Sequence, residues 1–233
     1  IGEDMATSSK ILQLTNSAFF GVPRRVTSAE EAVSLLGIER VKGLVLANGV
    51  FSRFEDAETG KVSIEALWRH SAQSAAIARG IAKDQRLESR DQDSVFTAAF
   101  LHDVGKLILA LNLPDAYAEA MAMAGERGCP EWEAEAEVIG ATHAEVGAYL
   151  LALWGLPAPI VDGIAWHHRP AEYSKDRLTH AGMVHIASGL AHEAVGEGAA
   201  AERARLDEDY LRSTSLAGQL SRWRQLAGER AAA

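Results

Sequence analysis

Apolar residues recur at spacings of three and four along most of the chain, which is the pattern of amphipathic helices. The clearest stretch is FTAAFLHDVGKLILALNL at positions 96–113, read as one helix. Its predicted inner face carries Phe96, Phe100, Asp103, Leu107 and Leu111. An ionised carboxylate facing a core is costly unless a cation, a metal or several donors meet it, so Asp103 requires a partner. Gly105, two residues later, would let another backbone approach closely.

The same periodicity, together with capping and stop residues, predicts helices over the rest of the chain. The predicted spans are 8–20, 28–37, 39–54, 63–87, 115–127, 132–139, 142–154, 160–168, 178–195 and 216–226. No alternating strand pattern accompanies them, so we predict an all-α fold, a multi-helix bundle. We expect a small N-terminal helical part over 1–60, a helical core over 61–195 and a helical tail over 196–233.

Composition narrows the class of protein. The chain has 233 residues, 48% of them apolar, which is enough for one large domain with a sizeable core. Its formal net charge of −9 disfavours nucleic-acid binding, which needs a basic face. With one cysteine, no signal peptide and no apolar run near the ~20 residues of a membrane span, we expect a soluble, cytoplasmic protein.

The histidines are the main chemical signal. All eight lie from position 70 onward, and five lie on or at the ends of separate apolar helices. Imidazoles gathered with a carboxylate are typical ligands of zinc, iron or manganese. A single histidine on an apolar stripe is more often a satisfied core residue, so the inference depends on several of them meeting near Asp103.

His70 followed by His102-Asp103 resembles the signature of the HD superfamily of metal-dependent phosphohydrolases. The run from Ala99 to Leu107, AFLHDVGKL, is similar to the HD-GYP branch. The resemblance implies six metal ligands, which are His70, His102, Asp103, His143, His167 and His168. It also implies a catalytic role for Asp103 in any active form, with Lys106 contacting substrate phosphate.

Other segments are similar to the HDOD domain, the HD-related output domain of bacterial signalling proteins. They are LTNSAFFG at 14–21, AVSLLG at 32–37 and HHRP at 167–170, and the resemblance covers about residues 5–195. It implies an upstream receiver or other signalling domain and protein partners. It also implies helices before position 1, so the chain is expected to begin inside the domain.

Two departures from the phosphohydrolase pattern argue against catalysis. The family places a closing aspartate ligand after an alanine in the late helix, and here Ala187 is followed by Ser188. His185 and His192 share a helix face with Ser188, and either is a candidate substitute, although ligand geometry is exacting. The acidic and GYP residues of the cyclic-dinucleotide enzymes are absent after His168.

Three functions stay open from the sequence. Two of them are non-catalytic and are favoured: an output module without metal, and an output module with an ion that serves as a strut or sensor. Because the closing carboxylate is missing, we expect little or no bound metal. The alternative is a metal-dependent phosphodiesterase that acts on cyclic dinucleotides or nucleotides, with iron, manganese or zinc as cofactor. No membrane or nucleic-acid partner is expected, whereas a nucleotide ligand stays open.

Overall fold

The computed structural model describes residues 12, 15, 26–51, 63–195 and 206–231, and within them the chain is helical with no strand. The predicted all-α fold is therefore confirmed. The helices are α1 (Ala29–Leu36), α2 (Ile38–Phe51), α3 (Ile64–Asp84), α4 (Ser89–Leu101), α5 (Val104–Asn112), α6 (Pro114–Arg127), α7 (Glu131–Val138), α8 (His143–Leu153), α9 (Ala158–Ala165), α10 (Pro170–Tyr173), α11 (His180–Val195), α12 (Glu208–Ser213), a 3-10 turn (Ala217–Gln219) and α13 (Leu220–Ala231). The helix predicted over 8–20 lies outside the described residues.

Three helix starts follow capping residues at the beginning of the predicted spans 28–37, 63–87 and 142–154. The hydroxyl of Ser28 accepts from the Glu31 N–H at the start of α1, and that of Ser63 accepts from Ala66 at the start of α3. At α8 the capping box is complete, because Thr142 accepts from the Glu145 N–H while the Glu145 carboxylate accepts from the Thr142 N–H. Local sequence therefore determines where these helices begin.

The single helix predicted over 96–113 is wrong in one respect. Helix α4 ends at Leu101 and α5 begins at Val104, with Asp103 at φ −98° and ψ 5° between them. The imidazole Nδ1 of His102 bonds to the Ala99 carbonyl at 2.7 Å, the carbonyl that the Asp103 N–H would use in a continuous helix. The break places His102 and Asp103 inside the fold, at 0% and 3% exposure. Leu111, predicted to be buried, is 37% exposed.

The main hydrophobic core draws on helices from the start, the middle and the end of the described chain, while α6 and α7 pack in two smaller clusters. Helix α3 packs against α4 and α11, while α2 and α9 pack on α4. Core residues extend from Val26 near the start to Trp223 and Ala227 in α13, so the N-terminal, central and C-terminal helices share one core. The domain boundaries expected near 60 and 195 adjoin residues outside the described ranges and stay predictions.

A close backbone contact joins α5 to α8. A Cβ atom on Gly105 would collide with the carbonyl oxygen of His143 and lie 2.7 Å from its carbonyl carbon. A Cβ on Gly147 would in turn lie 3.2 Å from the Gly105 nitrogen. The two glycines therefore let the start of α8 lie directly on the start of α5, which brings His143 beside Asp103.

One helical stretch among the described residues, Ser89–Asn112, has the length and apolarity of a membrane span. In the fold, 78% of its apolar window is buried. Burial of this kind is what a core helix of a globular domain shows.

Candidate metal centre

The six ligands implied by the resemblance come together from four places in the fold. His70 lies in α3, His102 and Asp103 lie in the break between α4 and α5, and His143 is the first residue of α8. The adjacent pair His167 and His168 lies in the turn after α9. They form two groups, each with ligand atoms within 4.8 Å of one another: His70, His102 and Asp103, and then His143, His167 and His168.

Two imidazoles are held with their Nε2 atoms free. His102 and His167 each donate from Nδ1 to the carbonyl three residues earlier, Ala99 and Ile164, at 2.7 Å. These bonds fix the tautomer that carries the proton on Nδ1, so each Nε2 presents a lone pair. Both Nε2 atoms are buried and have no hydrogen-bond partner among the described residues. A buried lone pair without a donor is destabilising, and a metal ion is a group that would satisfy it.

Asp103 lies between the two groups. Its Oδ1 is 3.2 Å from His143 Nε2, while its Oδ2 is 3.5 Å from His102 Nε2 and 4.0 Å from His70 Nε2. Burial favours the protonated acid, but His102, Lys106 and His143 outweigh it and hold the pKa of Asp103 well below its usual range. The carboxylate is therefore ionised and directs one oxygen towards each group.

Glu135 holds His143 in position, and no pattern in the sequence singles it out. This carboxylate, at 0% exposure, accepts from Nδ1 of His143 at 2.7 Å and from the His143 backbone N–H at 2.7 Å. Although burial alone would lower it, Glu135 and Asp103 raise the pKa of His143 to about 9. A carboxylate on the far nitrogen of a histidine is the usual outer-shell arrangement of metal sites. Within EWEAEAEV nothing distinguishes Glu135 from its exposed neighbours.

Lys106 forms ion pairs with two carboxylates of the same chain. Its Nζ lies 3.1 Å from Asp103 Oδ2 and 3.0 Å from Glu131 Oε2, with the side chain 15% exposed. Burial disfavours the ammonium form, but the two carboxylates raise the pKa of Lys106 well above its ordinary value. The lysine is therefore a buried cation beside the centre, and its partners already neutralise it.

Ser188 occupies the position of the missing carboxylate and faces the first group. Ser188 Oγ lies 3.1 Å from His70 Nε2, so a serine stands where the phosphohydrolase pattern has its closing aspartate. Of the two candidate substitutes, His192 stacks on His70 with ring centroids 4.0 Å apart. His185 uses both nitrogens elsewhere, on the His167 carbonyl and the Asp207 N–H. Only His192 is therefore adjacent to the first group.

The donor set fits a divalent transition metal. Five imidazoles and one carboxylate are nitrogen and oxygen ligands of the kind that zinc, iron and manganese accept. The unpartnered Nε2 atoms of His102 and His167 lie in this set, one in each group, whereas that of His180 lies outside it. Three of the imidazoles in the set have their other nitrogen fixed by a carbonyl or a carboxylate. The set contains one anionic ligand, Asp103, for two groups.

Comparison with known proteins gives a consistent result. The HDOD domain family matches residues 1–170. An uncharacterized protein of Treponema pallidum (strain Nichols) is 27% identical over 177 residues, so this chain spans 34% of that protein's length and 74% of its own is matched. A Shewanella amazonensis SB2B structure, provisionally assigned as a phosphohydrolase, has a TM-score of 0.71 at 23% identity over 99% of this chain and 83% of that one. The MmoQ response regulator of Methylococcus capsulatus has a TM-score of 0.53 at 23% identity, covering 93% of this chain and 82% of that one. At these identities the two structures establish the fold.

Proposed function

Because the chain belongs to the HDOD family, we propose that it is a signalling output module whose HD-type centre retains a divalent transition metal and catalyses no hydrolysis. On this proposal His70, His102, Asp103, His143, His167 and His168 hold the ion or ions. The metal is a strut that fixes α3, α5, α8 and the turn after α9 relative to one another.

One observation carries the metal-binding part of the proposal. The Nε2 atoms of His102 and His167 are buried, carry lone pairs and have no partner among the described residues. Their rings are 4.9 Å apart, centroid to centroid, so the two groups adjoin in one centre and each contributes one unpartnered lone pair. This geometry moves our expectation from little or no metal to a retained ion, because an empty site would leave both atoms unsatisfied.

Two features argue against hydrolysis. Ser188 supplies no charge where a closing carboxylate would compensate a second ion. Lys106, the residue proposed to contact a phosphate, is paired with Asp103 and Glu131.

Signalling is also consistent with the response regulator among the structures of similar fold. We accordingly propose that the chain acts in the cytoplasm of a bacterium and is linked to an upstream receiver or other signalling domain.

Elemental analysis of protein purified without chelator tests the proposal. We expect about one or two transition-metal ions per chain, lost in His102→Ala and in His167→Ala. His180→Ala is the matched control, because His180 lies on α11 and belongs to neither group. Metal-free wild-type protein that also fails to bind added Mn²⁺, Fe²⁺ or Zn²⁺ would refute the metal-binding part.

The phosphodiesterase alternative has one observation in its favour, which is that all six ligand positions of the resemblance meet in the fold. Bound metal would supply an activated water for attack on phosphorus. The test is hydrolysis of bis-p-nitrophenyl phosphate and cyclic di-GMP with added Mn²⁺ or Fe²⁺. Turnover that disappears in His143→Ala would establish the enzyme and refute the non-catalytic module.

A further inference from the structure

His185 is the one histidine in the described chain with both ring nitrogens bonded to backbone. Its Nδ1 lies 2.8 Å from the carbonyl oxygen of His167, and its Nε2 lies 2.9 Å from the N–H of Asp207. Because Nε2 accepts from an N–H, the proton must be on Nδ1, which donates to the carbonyl. The ring is buried, at 9% exposure, so both backbone groups would be left without a partner if the imidazole were removed.

Each of the two partners belongs to a different part of the molecule. The His167 carbonyl is in the peptide that joins the two adjacent candidate ligands, His167 and His168. The Asp207 N–H is at the N-cap of α12, where the Asp207 carboxylate also caps Tyr210 at 2.8 Å. His185 therefore connects the ligand turn to the C-terminal segment, which we define as residues 206–231.

The C-terminal segment lies against the helices that carry the centre. Trp223, at 0% exposure, donates from Nε1 to Asp84 at the end of α3, the helix of His70. Arg224 pairs with Glu193 on α11 at 2.8 Å and 3.1 Å. The hydroxyl of Tyr210 donates to the Arg177 carbonyl at 3.0 Å, just before α11. The segment is thus docked on α3 and α11 and reaches the ligand turn through His185.

We propose that His185 is a positioning residue of the metal centre and that it couples ion binding to docking of the C-terminal segment. Ion binding fixes the turn of His167 and His168, which fixes the carbonyl that orients His185 and thereby the N-terminus of α12. By thermodynamic reciprocity, a docked segment must strengthen ion binding by the same factor. The inference rests on the proposed metal centre, and it adds the element that responds to it.

Zn²⁺ affinity, measured by chelator competition on the full chain, tests the positioning role. We expect His185→Leu to weaken Zn²⁺ binding at least about tenfold, the usual effect of removing an outer-shell partner. His185→Gln should stay near wild type, because its amide keeps one donor and one acceptor. His185→Leu with unchanged Zn²⁺ affinity would overturn the proposal.

A second pair of variants leaves the imidazole in place. Asp207→Pro removes the N–H that His185 accepts, and the φ of −70° at Asp207 suits proline. Asp207→Ala is the matched control, since both substitutions remove the capping carboxylate and only the proline removes the N–H. We expect weaker Zn²⁺ binding in Asp207→Pro than in Asp207→Ala. Equal affinities would overturn the coupling, and this comparison decides the matter if His185→Leu does not fold.

Hydrogen exchange of peptides within 206–231 gives the readout that a merely structural role would not move. In wild-type protein, Zn²⁺ should slow exchange over 208–213, and in His185→Leu and Asp207→Pro it should not. Zn²⁺ binding without any change in that exchange would refute the coupling and leave the metal centre intact. Absence of Zn²⁺ binding in wild-type protein would refute both.

Discussion

Gly105 is the residue through which the close packing of α5 on α8 most directly affects the candidate metal centre. A Cβ there would collide with the His143 carbonyl, which is backbone and cannot move aside without shifting α8. We expect Gly105→Ala to lower the free energy of unfolding by at least about 1–3 kcal/mol. It should also weaken metal binding, because His143 would move away from Asp103. Urea denaturation and chelator competition measure the two effects.

Gly49→Ala is the control for this substitution. Gly49 lies in α2, is exposed and has no atom within 4 Å of an added Cβ. Alanine at such a helix position is expected to stabilise by roughly 0.5–1 kcal/mol. A Gly105→Ala protein as stable as Gly49→Ala would show that the α5–α8 contact is looser than described.

Ser188 is where a single carboxylate would restore the charge of the first group. We expect Ser188→Asp to tighten Zn²⁺ or Mn²⁺ binding at least about tenfold, or about 1.4 kcal/mol. The same substitution should destabilise metal-free protein, since it buries a second carboxylate near Asp103. Ser188→Asn, similar in shape and uncharged, should do neither. Melting temperatures with and without metal separate the effects, and tighter binding in both variants would contradict the charge argument.

Residue type and the family resemblance selected the candidate ligands, but neither could select the residues that support them. Histidine and aspartate on apolar faces stand out because burying them without a partner is costly, and this directed attention to Asp103 and the imidazoles. Glu135 does not stand out, since its burial depends on α7 lying over the start of α8. The pairing of Lys106 with Glu131 depends on the same packing.

Helix starts and helix breaks differ in how far local sequence determines them. Ser28, Ser63 and Thr142 cap their helices as predicted, because a side-chain oxygen within three residues satisfies a free N–H. The break after Leu101 was missed, because AFLHDVGKL contains neither proline nor a glycine at the break itself. It depends on His102 taking the Ala99 carbonyl, which a continuous helix would use for its own backbone.

Glu135 is the residue of helix α7 that holds a candidate ligand by hydrogen bonds. We expect Glu135→Gln to weaken metal binding by about 10- to 100-fold, because the neutral amide no longer raises the basicity of His143. Glu137→Gln on the same helix is the matched control, as Glu137 forms an exposed pair with Arg127. Such an exposed pair contributes little to stability and nothing to the centre. Equal metal affinity in the two variants would show that Glu135 has no positioning role.

At the scale of the whole molecule, periodicity predicted the all-α class well, because the apolar faces of helices must bury somewhere. It did not predict which faces meet. Val41 and Trp223 both belong to the main core, although they come from the parts expected over 1–60 and 196–233. Contacts between distant segments depend on the shapes of both surfaces, and one sequence does not display them.

The buried histidines also make a prediction for the stability of the whole metal-free protein. Burial, the largest influence on each, lowers the pKa of His70, His102, His167, His168 and His185 below their ordinary values. In the unfolded chain these groups titrate near pH 6.5. Below that pH the unfolded state therefore binds more protons than the folded state, which lowers the free energy of unfolding. Their contribution is present above about pH 6.5 and is lost as pH falls.

His143 has the opposite effect on the pH dependence of stability. With its pKa raised to about 9, its contribution is full below about pH 6.5 and declines as pH rises towards 9. Because the histidines with a lowered pKa outnumber it, we expect the free energy of unfolding in EDTA to be lower at pH 5.5 than at pH 7.5. Urea titrations at the two pH values measure this difference. Equal or greater stability at pH 5.5 would mean that the imidazoles are solvated or already protonated in the folded protein, and the buried centre described above would then be wrong.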